Sequence, residues 1–219
     1  MKIKVCGMRD AENISELIKL KPDFIGFIFY NKSKRLVTDF PQIEFPEGIK
    51  KIGVFVNASI KEVIEKVDLN NLEGVQLHGD ETPEYCEQLK SKLNNQGRIE
   101  NLNSSIGNYQ IEIIKAFSVD KDFDFEDTLP YQKMCNYLLF DTKGKNYGGN
   151  GMKFNWDILK NYSGKIPFLL SGGITKKDVE EIKKMNHKAF IGIDINSGFE
   201  IKPGLKNITY IKEFKNKLK

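Results

Sequence analysis

Pro167-Phe168-Leu169-Leu170-Ser171-Gly172-Gly173 and Phe190-Ile191-Gly192-Ile193-Asp194-Ile195-Asn196-Ser197-Gly198 share one pattern: a short apolar run that breaks into a polar, glycine-containing turn. Continuous apolar runs of this length, rather than alternating ones, suit parallel strands buried on both faces. The same pattern recurs toward the N-terminus at Ile3–Cys6, Phe24–Phe29, Lys51–Val56, Gly74–Leu77, Glu112–Phe117 and Tyr137–Phe140. With Pro167–Leu170 and Phe190–Ile193 these make eight candidate strands. Helix signals lie between them. Asp10 is placed to cap a helix through Leu20, and Ser59 with Glu62 forms a capping box for a helix through Val67. Thr82-Pro83 sets a cap before a proline at the first helical position, and Thr175 with Asp178 precedes Val179–Met185. Strand then helix, repeated eight times, predicts an α/β fold, a single (β/α)8 TIM barrel over residues 1–219. One segment breaks the rhythm. Asn94–Gln110 is rich in Asn, Ser and Gly, and reads as a polar insertion on the face opposite the strand C-termini.

Bulk properties narrow the function. The net charge is +4, but Lys alternates with Glu along most helices, the signature of solvated faces. No basic block carries interleaved aromatics, so nucleic acid is not an expected partner. The balance suits an anionic small-molecule substrate. Cys6, Cys86 and Cys135 are odd in number and form no CxxC, which argues against a disulfide framework or zinc ribbon. With only His78 and His187, a metal site built on several histidines is not expected. No apolar run approaches the ~20 residues of a membrane span, and the N-terminus does not read as a signal peptide. A cytoplasmic protein without a membrane partner is the expectation, and the pattern leaves oligomeric state open.

In a (β/α)8 barrel the active site lies at the C-terminal ends of the strands. There the chain places Cys6, then Arg35 in the loop Lys32-Ser33-Lys34-Arg35, Gln76 and His78, Asp141, Gly172 and Gly173, and finally Asp194, Asn196 and Ser197. Glycine turns after the seventh and eighth strands bring backbone N–H groups close to a ligand, and a helix N-terminus adds positive potential, so together they suit phosphate. The plain alternative is that they only make tight turns. Cys6 is either inert packing or a thiol facing the cavity. Asp141 follows an apolar run and must be hydrogen-bonded, paired or functional there. His78 either meets a ligand or bonds a loop. Arg35 either lies in solvent or clamps a carboxylate with its planar fork. A thiol and a carboxyl group facing one cavity beside a phosphate cup suggest an acid–base pair.

Lys4-Val5-Cys6-Gly7-Met8, Gly26-Phe27-Ile28-Phe29-Tyr30, Lys32-Ser33-Lys34-Arg35, Gly53-Val54-Phe55-Val56-Asn57 and Val75-Gln76-Leu77-His78-Gly79 resemble motifs of the phosphoribosylanthranilate isomerases of tryptophan biosynthesis. So do Leu139-Phe140-Asp141-Thr142, Tyr147-Gly148-Gly149-Asn150-Gly151, Leu170-Ser171-Gly172-Gly173 and Asp194-Ile195-Asn196-Ser197-Gly198-Phe199-Glu200. The resemblance implies Cys6 as general base, Asp141 as general acid and Arg35 against the anthranilate carboxylate. It places phosphate on Gly172, Gly173, Asn196 and Ser197. It further implies an Amadori rearrangement needing no cofactor and no metal. The family commonly has a serine where Asn196 stands. Because a base must be ionised to act, the surroundings of Cys6 are expected to lower its pKa. Other readings are a phosphate-binding barrel of epimerase or synthase type, and a non-catalytic barrel that binds a phosphorylated ligand. The first would want more metal ligands, or a lysine–glutamate pair at the strand ends. The second would tend to lose Cys6 or Asp141.

Overall fold

A computed structural model describes residues 1–96, 110–143 and 153–219. β1 (Lys2–Cys6), β2 (Phe24–Ile28), β3 (Lys50–Phe55), β4 (Gly74–Leu77), β5 (Glu112–Val119), β6 (Tyr137–Thr142), β7 (Phe168–Leu170) and β8 (Phe190–Ile195) form a closed parallel barrel. Each strand pairs with the next in sequence, and β8 closes on β1.

Side chains alternate across a strand, and that alternation builds both the core and the site. Phe24, Ile52, Ile114, Leu139 and Leu169 fill the barrel interior. Two residues farther along the same strands or just beyond them stand Gly26, Val54, Ala116, Asp141 and Ser171. The intervening residues, among them Val5, Ile25, Phe27, Val75, Leu138, Phe140, Phe168 and Ile193, belong to the larger cluster between barrel and outer layer. Asp141 and Asp194 therefore lie inside β6 and β8 rather than after them. The apolar run stops where the inner face meets the cavity, while the backbone ladder continues: Asp141 pairs with Ser118, and Asp194 with Lys4.

The outer layer is less regular than one helix per strand. α1 (Ala11–Ile18), α2 (Ile60–Asn70) and α3 (Pro83–Gln96) follow β1, β3 and β4. Their N-cap bonds are present, the expected Ser59–Glu62 capping box only as its Ser59 half. Asp10 accepts from the Asn13 N–H at 2.8 Å, Ser59 from Glu62 at 3.2 Å and Thr82 from Tyr85 at 3.3 Å. No helix stands between β2 and β3 among the described residues. Pro41 and Pro46 oppose one there, and the aromatic rings of Phe40 and Phe45 pack on Phe27 in its place. Among the described residues, only 3₁₀ segments come after β5 and β6, Phe125–Tyr131 and Trp156–Asn161. After β7 a 3₁₀ turn at Lys176–Asp178 with a full Thr175–Asp178 capping box leads into α4 (Val179–Lys183). After β8 a 3₁₀ turn at Ser197–Phe199 leads into the hairpin β9 (Glu200–Lys202) and β10 (Leu205–Lys206), then α5 (Ile208–Leu218). α3 continues to Gln96, so the proposed insertion begins as helix; its residues 97–109 lie outside the described residues, as does the motif at 147–151.

One buried ion pair fixes the loop that carries His78. Lys115 on β5 donates to Glu81 at 3.2 Å and to the Gly79 carbonyl at 2.7 Å. Glu81 also accepts from the backbone N–H groups of Asn57 and Gly79. Removing one partner of such a buried pair typically costs about 3–5 kcal/mol, so this loop is held firmly.

Candidate active site

The C-terminal mouth of the barrel holds a cavity lined by Cys6, Gln76, His78, Asp141, Thr142, Ser171, Gly172, Gly173, Asp194, Asn196 and Ser197, with Ile28, Tyr30, Ser33, Val54, Val56, Ile174 and Gly198 completing its wall. The structure thus brings together every residue proposed from the sequence except Arg35.

On the β6 side, Asp141 is bonded through both oxygens. Oδ1 accepts from the Thr142 N–H at 2.8 Å, and Oδ2 lies 3.2 Å from His78 Nε2. Gln76 Nε2 is 2.7 Å from His78 Nδ1. An amide nitrogen only donates, so with Gln76 in this orientation Nδ1 accepts and Nε2–H donates toward Asp141. The result is a relay from Gln76 through His78 to the carboxyl group. The buried Gln76 Oε1 and Thr142 Oγ1 have no hydrogen-bond partner among the described residues, and both residues face the cavity, where a polar ligand would complete them.

Opposite stands Cys6, buried at the end of β1. Burial pushes its thiol above the ordinary range; Lys4 and Lys206 pull it back, and Asp194 pushes with burial. The expected lowering is therefore corrected. A thiolate in this enclosed site loses more hydration than the nearby ammonium groups return.

The glycine turns after β7 and β8 lie side by side. Gly172 and Gly173 adopt φ of +92° and +64°. A side chain at Gly172 would begin 2.2 Å from Thr142 Oγ1, and one at Gly198 2.2 Å from the Ile174 carbonyl oxygen. Only glycine allows the two loops to touch and expose their backbone to the cavity. The segment at Ser197–Phe199 is a single 3₁₀ turn, so this cup depends on peptide N–H groups more than on the dipole of a long helix.

Arg35 departs from the expectation of a free clamp. Its Nε and Nη2 donate to Glu200 Oε1 and Oε2 at 2.8 and 2.6 Å. Glu200 also accepts from Lys206 at 2.6 Å, and Lys206 donates to Asn196 Oδ1 at 2.8 Å. The Asn196 carbonyl is thereby turned to a lysine, which separates it from a phosphate-binding serine. Glu200, held as an anion by Arg35 and Lys206 against the effect of burial, occupies one edge of the guanidinium. Lys4 and Glu200 stand in the motifs quoted above and Lys206 does not, but none of the three was assigned a role from the sequence. Lysine and glutamate normally read as surface charge, and only their complete or near-complete burial marks them.

The chain matches the family model described as N-(5'phosphoribosyl)anthranilate (PRA) isomerase over residues 3–107 and 97–217. A relative from Parabacteroides distasonis named N-(5'-phosphoribosyl)anthranilate isomerase is 45% identical, with 98% of this chain and 91% of that protein covered. The crystal structure of phosphoribosyl anthranilate isomerase from Thermotoga maritima superposes with a TM-score of 0.80 at 29% identity, covering 100% of this chain and 98% of that one. A second solved structure, a phosphoribosyl anthranilate isomerase in complex with reduced 1-(o-carboxyphenylamino)-1-deoxyribulose 5-phosphate, gives a TM-score of 0.78 at 27% identity, with the same coverage. With a family model spanning nearly its whole length, this chain belongs to the N-(5'-phosphoribosyl)anthranilate isomerase family.

Proposed function

We propose that the protein isomerises N-(5-phosphoribosyl)anthranilate to 1-(o-carboxyphenylamino)-1-deoxyribulose 5-phosphate, a step of tryptophan biosynthesis. The observation that carries this reading is the joint arrangement of a thiol, a histidine-backed carboxyl group and paired glycine turns around one cavity. In the proposed course, Asp141 gives its proton to the furanose ring oxygen as the C1–O bond breaks. The anthranilate nitrogen takes up the positive charge as an iminium ion. Cys6 then removes the proton from sugar carbon 2, forming an enolamine that tautomerises to the ketone. One acid and one base suffice, and the substrate's own nitrogen is the electron sink. The phosphate end sits on the glycine turns and the carboxylate end faces Arg35, so binding at both ends positions the reacting carbons.

The direct test follows the loss of phosphoribosylanthranilate fluorescence with purified protein, with and without chelator. Turnover that survives chelation is expected. No turnover refutes the reading, and turnover that disappears with chelator and returns with a divalent ion favours an epimerase-like site.

Anchoring is tested at Arg35. Arg35→Ala is expected to raise KM more than it lowers kcat, since a charge-assisted contact is worth roughly 1.5–3 kcal/mol, about 10- to 150-fold in affinity. The same change leaves Glu200 with Lys206 as its remaining cationic partner. Unchanged KM and kcat mean that Arg35 serves only Glu200.

A further inference from the structure

Lys4 is buried completely inside the barrel, and the mechanism above does not use it. It stands two residues before Cys6 on β1, so both side chains point inward. Its Nζ lies 3.1 Å from Oδ1 of Asp194, which faces it in register on β8. On the other side, Cys6 pairs with Gly26 of β2. A side chain at Gly26 would begin 2.9 Å from Cys6 Sγ and 3.1 Å from Lys4 Nζ. The missing side chain thus leaves open a space that the thiol and the ammonium both border. A lysine serving only as a counter-ion for Asp194 needs no such space beside a thiol.

We infer that Lys4 is a positioning residue for the base, holding its ammonium beside Cys6 so that the thiolate forms where it meets the sugar carbon. This rests on the reading of Cys6 as the base. The charged groups acting on the thiol are Lys4 from its own strand, Asp194 from β8, Lys206 from β10 and Arg35 from the loop after β2. Asp141 and His78 act on it through Asp194. Of the cations, Lys4 has the largest influence, and it opposes the burial that pushes the thiol up. Asp194 in turn holds Lys4 charged, since burial alone would pull that amine down. Burial also pushes the Asp194 carboxyl up, with Lys4 pulling it back. Lys4 thus stands between two groups that burial keeps protonated, and when both ionise the three form a chain of alternating charge: Asp194 carboxylate, Lys4 ammonium, Cys6 thiolate.

The test measures the rate of Cys6 alkylation by iodoacetamide against pH, resolved by mass spectrometry of the Cys6 peptide, in wild type, Lys4→Met and Lys4→Met/Asp194→Asn. The double variant leaves no unpaired buried charge, so it keeps the test open if the single one misfolds. A neighbouring charge typically moves a titration by about 1–3 pH units. The alkylation midpoint is expected to rise by about one unit or more in Lys4→Met, roughly a tenfold loss of rate at neutral pH. A smaller rise is expected in the double variant, which also lacks the opposing carboxylate. Steady-state turnover should show kcat falling with KM little changed. With Asp194→Asn measured alongside, a double variant whose midpoint does not rise above that of Asp194→Asn, or a folded Lys4→Met whose midpoint does not rise above wild type, overturns the inference, because Lys4 then only neutralises Asp194. A raised midpoint with unaltered kcat overturns instead the assignment of Cys6 as base. The alkylation arm therefore separates the two failures.

Discussion

Cys6→Ala is expected to lower kcat by roughly 10²–10⁴-fold, the usual weight of one general base, while KM changes little. The thiol sits at the end of β1, facing the cavity, and is not among the groups proposed to hold either end of the substrate. Its loss should therefore act on the reaction and not on binding. The substitution removes one sulfur from a packed position, and most single substitutions cost about 0.5–3 kcal/mol, so the variant should remain folded. Steady-state fluorescence kinetics give kcat and KM, binding of a reduced product analogue gives affinity separately, and thermal melting checks the fold. Near-normal turnover in a folded Cys6→Ala protein rules out the thiol as base. The His78–Asp141 pair, Asp194 and Tyr30 would then be the acid–base groups left in this cavity among the described residues.

The site was more legible than the outer layer. Cys6, Gln76, His78 and Asp141 were found because each stands where an apolar run breaks into polar residues at a strand's C-terminal end, the end at which a (β/α)8 barrel holds its site. The glycines after β7 and β8 were legible for a similar reason: a tight approach of backbone to ligand has one common solution. Helix after every strand was not a safe extension. Between β2 and β3 two prolines and a pair of phenylalanines cover the barrel without a helix, and the described residues between β5 and β7 form short 3₁₀ segments. Long-range pairing was the least visible. Arg35 meets Glu200 across 165 positions and Lys4 meets Asp194 across 190. No local pattern distinguishes a lysine that snorkels to water from one enclosed in a barrel. Asn13 makes the same point, since it joins α1 to β10 by hydrogen bonds in both directions with Lys206.

Asp141→Asn is expected to lower kcat by roughly 10²–10⁴-fold while substrate still binds. Asparagine keeps the shape, and its carbonyl can still accept from His78 or from the Thr142 N–H. It has no acidic proton to deliver to the ring oxygen. The pH profile adds a sharper expectation. The productive form of the pair carries one proton, on the carboxyl group, with the thiol ionised. Ordinary values near ~3.9 for a carboxyl and ~8.5 for a thiol put a single shared proton on the sulfur, so the productive arrangement is a minor form of the one-proton state. Turnover then follows the population of that state and is bell-shaped, with limbs that belong to the pair. The alkaline limb marks loss of the last proton. Burial pushes the Cys6 thiol up, so this limb should lie above the ordinary thiol range, with activity retained below it and lost as pH rises through it. Anything that makes the thiolate harder to form should move this limb farther up and lower the height of the bell, because it shrinks the productive minor form. In Asp141→Asn the shared proton is gone, and the residual rate should simply rise with thiol ionisation and level off. The measurement is kcat/KM of wild type and Asp141→Asn across pH, with binding checked separately. A variant that keeps both its turnover and the bell shape assigns the proton to another group, and the pairing of Cys6 with Asp141 falls with it.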